Sequence, residues 1–398
     1  MFSILIAIIL GLVFGILTGL APGIHPNTVV VGLLALSPFL LSYTSPIALA
    51  VFITTVATVN TFTDAIPSAY LGAPEESTAL GVLPMHRYLL QGKGHEAIML
   101  TVIGGIFALI LSILIIPILV YSLKQIFPYL QKFIPYLLIF SVIFLLLREK
   151  KKFLALVIFL LSGTLGIITL NFPNLPEPLF PLFSGLFGIS TLLISLNTQS
   201  HIPHQTITFP RLTKKEIIRT TPAAVFSGGL VSTLPALSTS PAAILGSSLI
   251  RKITNKEFLI MIGGINTVNF VLSFVSLYVL DKARNGAVVG ISQIIESLTI
   301  RHFILFIAVC LISSGLAAIS TIYLSKVFSK YIMKINYQKL VLTVIASVMF
   351  LVLLITGIYG FLIMITGTFI GMIPTIKNVG KTHLMGSLML PVILFYFL

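Results

Sequence analysis

The chain has 398 residues, of which 57% are hydrophobic and only 9% are charged, and its mean hydropathy is +1.12. This composition excludes a soluble globular protein and predicts a single membrane domain that covers residues 1–398. The net charge of +14 does not indicate nucleic acid as a partner, because the basic residues lie in short loops between apolar segments.

Apolar segments follow one another along the chain, and we divide them into two sets of seven. The first set covers residues 2–20, 28–41, 47–66, 97–121, 133–147, 153–170 and 179–196. The second set covers residues 222–234, 241–250, 258–280, 303–325, 340–356, 359–373 and 384–398. A helix needs roughly 20 apolar residues to cross the hydrocarbon core. The pattern therefore predicts an all-α polytopic protein of the cell membrane.

The second segment of each set is too short to cross comfortably. Proline residues occupy the turn before each of them, at residues 21–28 and 232–240. We interpret the first two segments of each set as a re-entrant helical hairpin, which is tolerated only where it lines a protein-enclosed cavity. Each half then has one hairpin and about five full spans.

Three short matches in the same order indicate an internal repeat, with repeat 1 at 1–196, a cytoplasmic linker at 197–220 and repeat 2 at 221–398. The matches pair Gly15-Ile16-Leu17 with Gly228-Gly229-Leu230, Val59-Asn60-Thr61 with Ile265-Asn266-Thr267, and Ser162-Gly163-Thr164-Leu165 with Thr366-Gly367-Thr368-Phe369. Five spans in each half would invert the second repeat. Charge agrees, because this topology places 19 of the 24 basic residues in cytoplasmic loops. The exceptions are Lys124, Lys132, Lys282, Arg284 and Arg301.

The two hairpin tips are the predicted substrate site. Asn27 is expected to cap the helix that begins at Thr28, and Ser240 to cap the helix that begins at Pro241. Two helix amino ends in one cavity would bind an anion without a buried basic residue. The predicted substrate-binding residues are Pro22, Gly23, His25, Asn27, Thr28, Asn60, Thr61, Thr233, Pro235, Ser238, Thr239, Ser240, Asn266 and Thr267. The alternative is that these groups satisfy backbone atoms freed by broken helices.

Asp64 is the candidate residue for ion coupling. It lies near the end of an apolar segment, four residues after Asn60 and so on the same helix face. An intramembrane carboxylate is costly and usually functional, so Asp64 is expected to bind Na⁺ or H⁺. The alternative is that Asp64 lies at the inner membrane interface before Pro67. There it would cap a helix or extend its carboxylate toward water. No metal or other cofactor is expected.

The Pro22-Gly23 turn, Gly81-Val82-Leu83-Pro84-Met85 and the run from Gly92 to Ala97 resemble the TctA family, the large membrane subunits of tripartite tricarboxylate transporters. The resemblance implies a permease for carboxylates, a small membrane subunit and an extracytoplasmic binding protein as partners. The chain departs from the family where Pro235-Ala236 replaces a second Pro-Gly turn. Because of this departure, the resemblance supports the family's fold more strongly than it supports a tricarboxylate as the substrate.

Three functions remain open on the sequence. The first is a secondary transporter that moves an anionic solute by alternating access at the hairpin tips. The second is a translocase of a polyprenyl-phosphate lipid carrier, which a laterally open cavity would favour. The third is a membrane enzyme that acts on lipids, with His25 and Asp64 as acid and base. The sequence contains no P-loop, Gly-x-Ser-x-Gly or His-Glu-x-x-His motif, so we expect a transporter and no enzyme.

Overall fold

The computed structural model describes residues 2–21, 30, 33, 37–72, 80–196, 203–234, 239–283, 285–295, 297–332 and 337–397. These residues contain helices and turns and no strand. Seven of the described helices are long and apolar enough to cross a membrane. The prediction of an all-α, multi-pass membrane protein is confirmed.

The first half contains long helices joined by short ones. Its helices are α1 (Phe2–Leu20), α2 (Ser37–Leu40), α3 (Pro46–Thr63), α4 (Ala65–Tyr70), α5 (Val82–Leu90), α6 (Gly94–Arg148), α7 (Lys152–Leu170), α8 (Leu179–Phe183) and α9 (Ser190–Leu196). A π-helical stretch, Ser184–Ile189, joins α8 to α9.

The second half follows the same order of long and short helices. Its helices are α10 (Lys214–Thr233), α11 (Thr239–Ser248), α12 (Asn255–Leu280), α13 (Gly286–Ile294), α14 (Ile300–Ile332), α15 (Tyr337–Lys377) and α16 (Gly386–Phe397). A 3₁₀ turn, Lys381–Met385, precedes α16. Two short helices, α5 and α13, were not predicted from the sequence, and they occupy corresponding places in the two halves.

Capping residues set the starts of the long helices. Ser45 caps α3, where its hydroxyl accepts a hydrogen bond from the Ala48 amide at 3.2 Å, and Pro46 occupies the first turn. Thr213 with Glu216 and Thr254 with Glu257 form complete capping boxes at the starts of α10 and α12. These two helices therefore begin with the same motif.

Helix α6 differs from the prediction of two separate segments. It runs without interruption for 55 residues and contains Pro117, Pro128 and Pro135. A straight helix of this length would measure about 80 Å, well beyond the roughly 30 Å hydrocarbon core. Proline is the usual site of helix bending, and the apolar stretches Gly94–Tyr129 and Leu138–Leu147 are separated by this region. In α15 the predicted break after residue 356 is confirmed at Gly357, which has φ +66° and ψ −165°.

Close glycine contacts hold α1 against α3. A Cβ at Gly15 would lie 2.6 Å from Cβ of Val59, and a Cβ at Gly19 would lie 1.9 Å from Oγ1 of Thr63. The small residues Gly11, Gly15 and Gly19 therefore let α1 approach α3 closely. The matched Gly228 on α10 would place a Cβ 2.6 Å from Cβ of Val268 on α12.

The helix pairings recur in the two halves. In each half the first helix packs on the third helix in chain order, as α1 on α3 and α10 on α12. Across the halves, α6 packs on α12 and α14 on α3, while α7 packs on α16 and the α8–α9 stretch on α15. Each pairing thus has a counterpart in which the two halves exchange roles.

Loops that the charge pattern predicts to be cytoplasmic contact one another. The contacts join Gly92 with Thr206, Lys151 with Lys377, Lys256 with Arg211, and Arg219 with Arg251 and Glu257. From the group predicted to face outward, Lys282 lies 5.1 Å from the centre of the Phe127 ring. These neighbours agree with the predicted division of the loops into two groups.

Glu149 joins the α6–α7 turn to the turn before α16. The Gly380 amide donates to Glu149 Oε2 at 3.1 Å, and His383 Nε2 lies 3.3 Å from the same oxygen. The hydrogen bond from Gly380 is the main cause that lowers the pKa of Glu149, and His383 and the Lys150 amide lower it further against the opposing effect of burial. A carboxylate with a lowered pKa stabilises the fold above its unfolded pKa of about 4.3.

We expect Glu149→Gln to lower the free energy of unfolding by about 1 kcal/mol at neutral pH, because charged hydrogen bonds at a mostly buried site are lost. The difference from wild type should shrink as the pH falls through the lowered pKa of Glu149. Thermal unfolding of both proteins in detergent from neutral to acidic pH measures it. A difference that stays constant with pH would show that the carboxylate charge has no part in it.

Candidate functional site

Asp64 lies at a break between two helices inside the protein. Helix α3 ends at Thr63 and α4 begins at Ala65, although the Asp64 backbone keeps helical angles of φ −61° and ψ −21°. Pro67 explains the break, because it has no N–H to donate to the carbonyl of Thr63. Asp64 is only 2% exposed and its side chain makes no capping hydrogen bond to α4. The alternative in which Asp64 caps or snorkels is therefore wrong.

Asn266 on α12 binds Asp64 across the two halves. Its Nδ2 donates to Asp64 Oδ2 at 2.9 Å and to the Thr61 carbonyl oxygen at 3.3 Å. The sequence matches Asn266 with Asn60, so this contact brings together two corresponding motifs. Both N–H groups of the Asn266 amide are used in these bonds, which fixes the orientation of its side chain.

Asn60 differs from Asn266 in its hydrogen bonding. It is 3% exposed, and its Nδ2 has no hydrogen-bond partner among the described residues. The sequence gives the reason for the difference. The carboxylate that accepts from Asn266 belongs to Asp64, four residues after Asn60. The position four residues after Asn266 holds Phe270, which has no acceptor to offer Asn60. A buried amide with unused donors is costly, so it marks a place where a ligand oxygen would be stabilised.

Three predicted hydroxyls bond to their own helices. Thr61 Oγ1 donates to the Thr58 carbonyl at 2.8 Å, Thr233 Oγ1 to Gly229 at 2.7 Å, and Thr267 Oγ1 to Gly263 at 3.2 Å. In this conformation the three hydroxyls can accept further hydrogen bonds, but their protons are used. Their oxygen atoms suit a cation or a donor better than they suit an anion.

The hairpin tips are described only in part. Pro22, Gly23, His25, Asn27, Thr28, Pro235 and Ser238 lie outside the described residues, so their predicted roles stay predictions. Helix α11 begins at Thr239, which places the buried Ser240 inside the first turn. The prediction that Ser240 is the N-cap residue is wrong, because the helix begins before it.

Glycine pairs bring α12, the helix that carries Asn266, into direct contact with α6. A Cβ at Gly104 on α6 would lie 1.9 Å from the Ile260 carbonyl oxygen, and a Cβ at Gly263 on α12 would lie 2.1 Å from the Thr101 carbonyl oxygen. The backbones of α6 and α12 therefore touch directly, as small residues allow inside membranes. These positions were not predicted from the sequence, although each helix contains two adjacent glycines within an apolar segment.

A second buried polar cluster lies where α4 meets α14. Tyr70 Oη lies 2.6 Å from Ser329 Oγ and 3.0 Å from Ser325 Oγ, and His95 Nδ1 lies 2.9 Å from the same Ser325 oxygen. Tyr70 and His95 belong to the first half and the two serines to the second. The cluster therefore joins the halves at the end near the linker, and the sequence alone did not reveal it. Within the described chain, no group of three acidic, histidine or cysteine side chains could hold a metal ion.

Comparison with known proteins agrees with this architecture. The profile of the tripartite tricarboxylate transporter TctA family matches residues 5–386. The chain is 31% identical over 381 residues to an uncharacterized protein of Methanocaldococcus jannaschii, and the match covers 94% of each protein. No solved structure gives a significant match. Since the family match covers nearly the whole chain, this multi-pass membrane protein belongs to the TctA family of tripartite tricarboxylate transporters.

Proposed function

We propose that this chain is the permease subunit of a secondary transporter for an anionic solute, a di- or tricarboxylate, coupled to an ion at Asp64. The observation that carries the proposal is the asymmetric pair of asparagines at the junction of the halves. Asn266 donates to Asp64, whereas the buried Asn60 amide keeps unused N–H groups. A carboxylate of the solute can accept hydrogen bonds from these groups.

Electrostatics links the solute to the ion. Two negative charges close together in a buried site repel each other, so an anion would bind near Asp64 more readily after this carboxylate is neutralised. A proton or a sodium ion would supply that neutralisation. The Thr61 and Thr267 oxygen atoms, which remain acceptors, are compatible with a bound cation. Solute binding would thus depend on ion binding without a direct bond between the two.

Alternating access is the mechanism that suits this arrangement. The reciprocal helix pairings support the hypothesis of two inverted repeats, whose junction holds the substrate in such transporters. The Tyr70, His95, Ser325 and Ser329 cluster would close the end near the linker, since its hydrogen bonds join the two halves. Breaking these bonds would open the site toward that end. The inverted repeats and the two re-entrant hairpins remain part of the proposal.

The family also suggests the partners. A tripartite transporter would combine this chain with a small membrane subunit and an extracytoplasmic binding protein that delivers the solute.

Ligand-induced thermal stabilisation tests the proposed substrate class. A ligand in hundredfold excess over its Kd stabilises the folded state by about 2.7 kcal/mol. We expect citrate or another carboxylate to raise the Tm of the purified protein, and we expect Asn60→Ala to abolish the shift. Asn171→Ala is a matched control, because Asn171 is exposed and donates to the Ile167 carbonyl at its own helix end. An equal shift in Asn60→Ala and wild type would contradict the proposed site.

The second candidate is translocation of a polyprenyl-phosphate carrier. It is favoured by an apolar cavity of about 430 Å³ beside α10, lined by Phe226 and Thr233 among others, because Phe226 is also 46% exposed on this apolar helix surface. The same stabilisation assay with short polyprenyl phosphates separates the two candidates. A shift with polyprenyl phosphates and none with carboxylates would favour the translocase.

A further inference from the structure

An apolar cavity runs along α10 between this helix, α6 and α12. Its volume is about 430 Å³, and its wall contains Leu111, Leu119, Val225, Phe226, Gly229 and Leu272. The lining follows α10 from Pro222 to Thr233, a distance of about 17 Å in a helix. The cavity is therefore long and narrow rather than round.

The cavity offers almost nothing to water. Its polar lining residues are Ser232 and Thr233, at one end, and both hydroxyls already donate to the Gly229 carbonyl, at 2.9 and 2.7 Å. A buried water needs two to four polar partners, and apolar cavities without them stay dry and bind apolar molecules. The occupant must therefore be a hydrocarbon.

The surface around the cavity identifies the source of that hydrocarbon. Phe226, which lines the cavity, is 46% exposed, and Leu114 and Ile118 on the adjoining face of α6 are more exposed still. Such residues on a membrane-spanning helix contact lipid tails. The cavity thus continues the lipid-facing surface inward, and a chain from a neighbouring lipid can enter sideways.

Gly229 lines the cavity and contributes no side chain to fill it. In the matched motifs, Gly229 of the second half corresponds to Ile16 of the first. The Ile16 side chain packs against a buried cluster that contains residues of both halves, whereas Gly229 leaves its place beside α12 unfilled. A Cβ at Gly229 would meet only Leu272 Cδ1, at an ordinary 3.6 Å, so the backbone does not require glycine here.

We propose that this cavity is a binding site for one hydrocarbon chain of a bilayer lipid, which enters from the lipid-facing surface beside Phe226. The site is independent of the proposed carboxylate site, since Asn60 and Asp64 do not line it. A chain bound here fills the gap between α10 and α12 and supports the end of α10.

The test uses Gly229→Ile, which gives the second half the residue that the first half has. We expect wild-type protein purified in mild detergent to retain a bound lipid in native mass spectrometry, and we expect Gly229→Ile to lose it. After lipid removal, added phospholipid should raise the Tm of wild type and leave that of Gly229→Ile unchanged.

Gly315→Ile on α14 is the matched control. A Cβ at Gly315 meets nothing within 4 Å, so the same side chain is added without filling the cavity, and lipid retention should match wild type. Gly229→Ala, which adds only one methyl group, should retain an intermediate amount of lipid and serves if Gly229→Ile does not fold. Equal retention in wild type and both Gly229 variants would overturn the proposal, whether or not carboxylates bind.

Discussion

Asp64→Asn should abolish concentrative uptake of a tricarboxylate while the folded protein remains intact. Asparagine has nearly the same shape as aspartate, and its side-chain oxygen can accept the 2.9 Å hydrogen bond from Asn266. The substitution therefore removes a buried charge and keeps the contact between the halves. The buried carboxylate is the group that couples an ion to the solute in our proposal.

The expected signature is loss of ion dependence. Coupling free energies between two sites typically change affinity by about 5- to 150-fold. In wild type, lower pH or added sodium should raise citrate affinity by a factor in this range. In Asp64→Asn the site is permanently neutral, so citrate affinity should no longer respond to either ion. Proteoliposomes should then show citrate exchange without accumulation against a gradient.

Asp281→Asn supplies the control for this change. Asp281 is exposed at the end of α12 and has a left-handed backbone with φ +51°, a conformation that asparagine also tolerates. Citrate uptake by the Asp281→Asn variant should equal that of wild type. If Asp64→Asn still accumulates citrate in response to the same ion gradient, Asp64 does not couple transport.

Hydropathy was sufficient to locate most of the helices, because membrane spans must be long and apolar. The predicted segments at 2–20 and 153–170 agree closely with α1 and α7. The short helices α5 and α13 were missed because nine residues cannot cross a bilayer and so leave no strong signal. The polar residues between 121 and 133 interrupt the apolar pattern within α6, yet the helix continues there and through its prolines, as it can when the freed carbonyl groups find other partners.

The site was predicted as a set of residues and not as an arrangement. The sequence singled out Asn60, Asp64 and Asn266, because polar groups in apolar segments are rare. It did not predict that Asn266 would bind Asp64 while Asn60 keeps free donors. That asymmetry depends on the contact between α12 and α3, two helices far apart in sequence, and a local pattern does not report such a contact.

Gly104→Ala should be one of the most destabilising single-methyl additions in the chain. The new Cβ would lie 1.9 Å from the Ile260 carbonyl oxygen, and backbone atoms cannot move aside as a side chain can. Overpacking of this kind costs about 1–3 kcal/mol and occasionally more. Thermal unfolding in detergent should show a lower Tm, and citrate binding should weaken as well because Asn266 moves away from Asp64 together with α12.

Two comparisons make this prediction specific. Gly315→Ala on α14, where no atom lies within 4 Å of the added Cβ, should be neutral or stabilise by about 0.5–1 kcal/mol, since alanine favours helix. Gly263→Ala would place its Cβ 2.1 Å from the Thr101 carbonyl oxygen and should separate the same two helices. Because either substitution already forces α6 from α12, the double variant should lose less stability than the sum of the single losses. Full additivity would mean that the two glycines do not share one contact, and the link between this contact and the site would then fail.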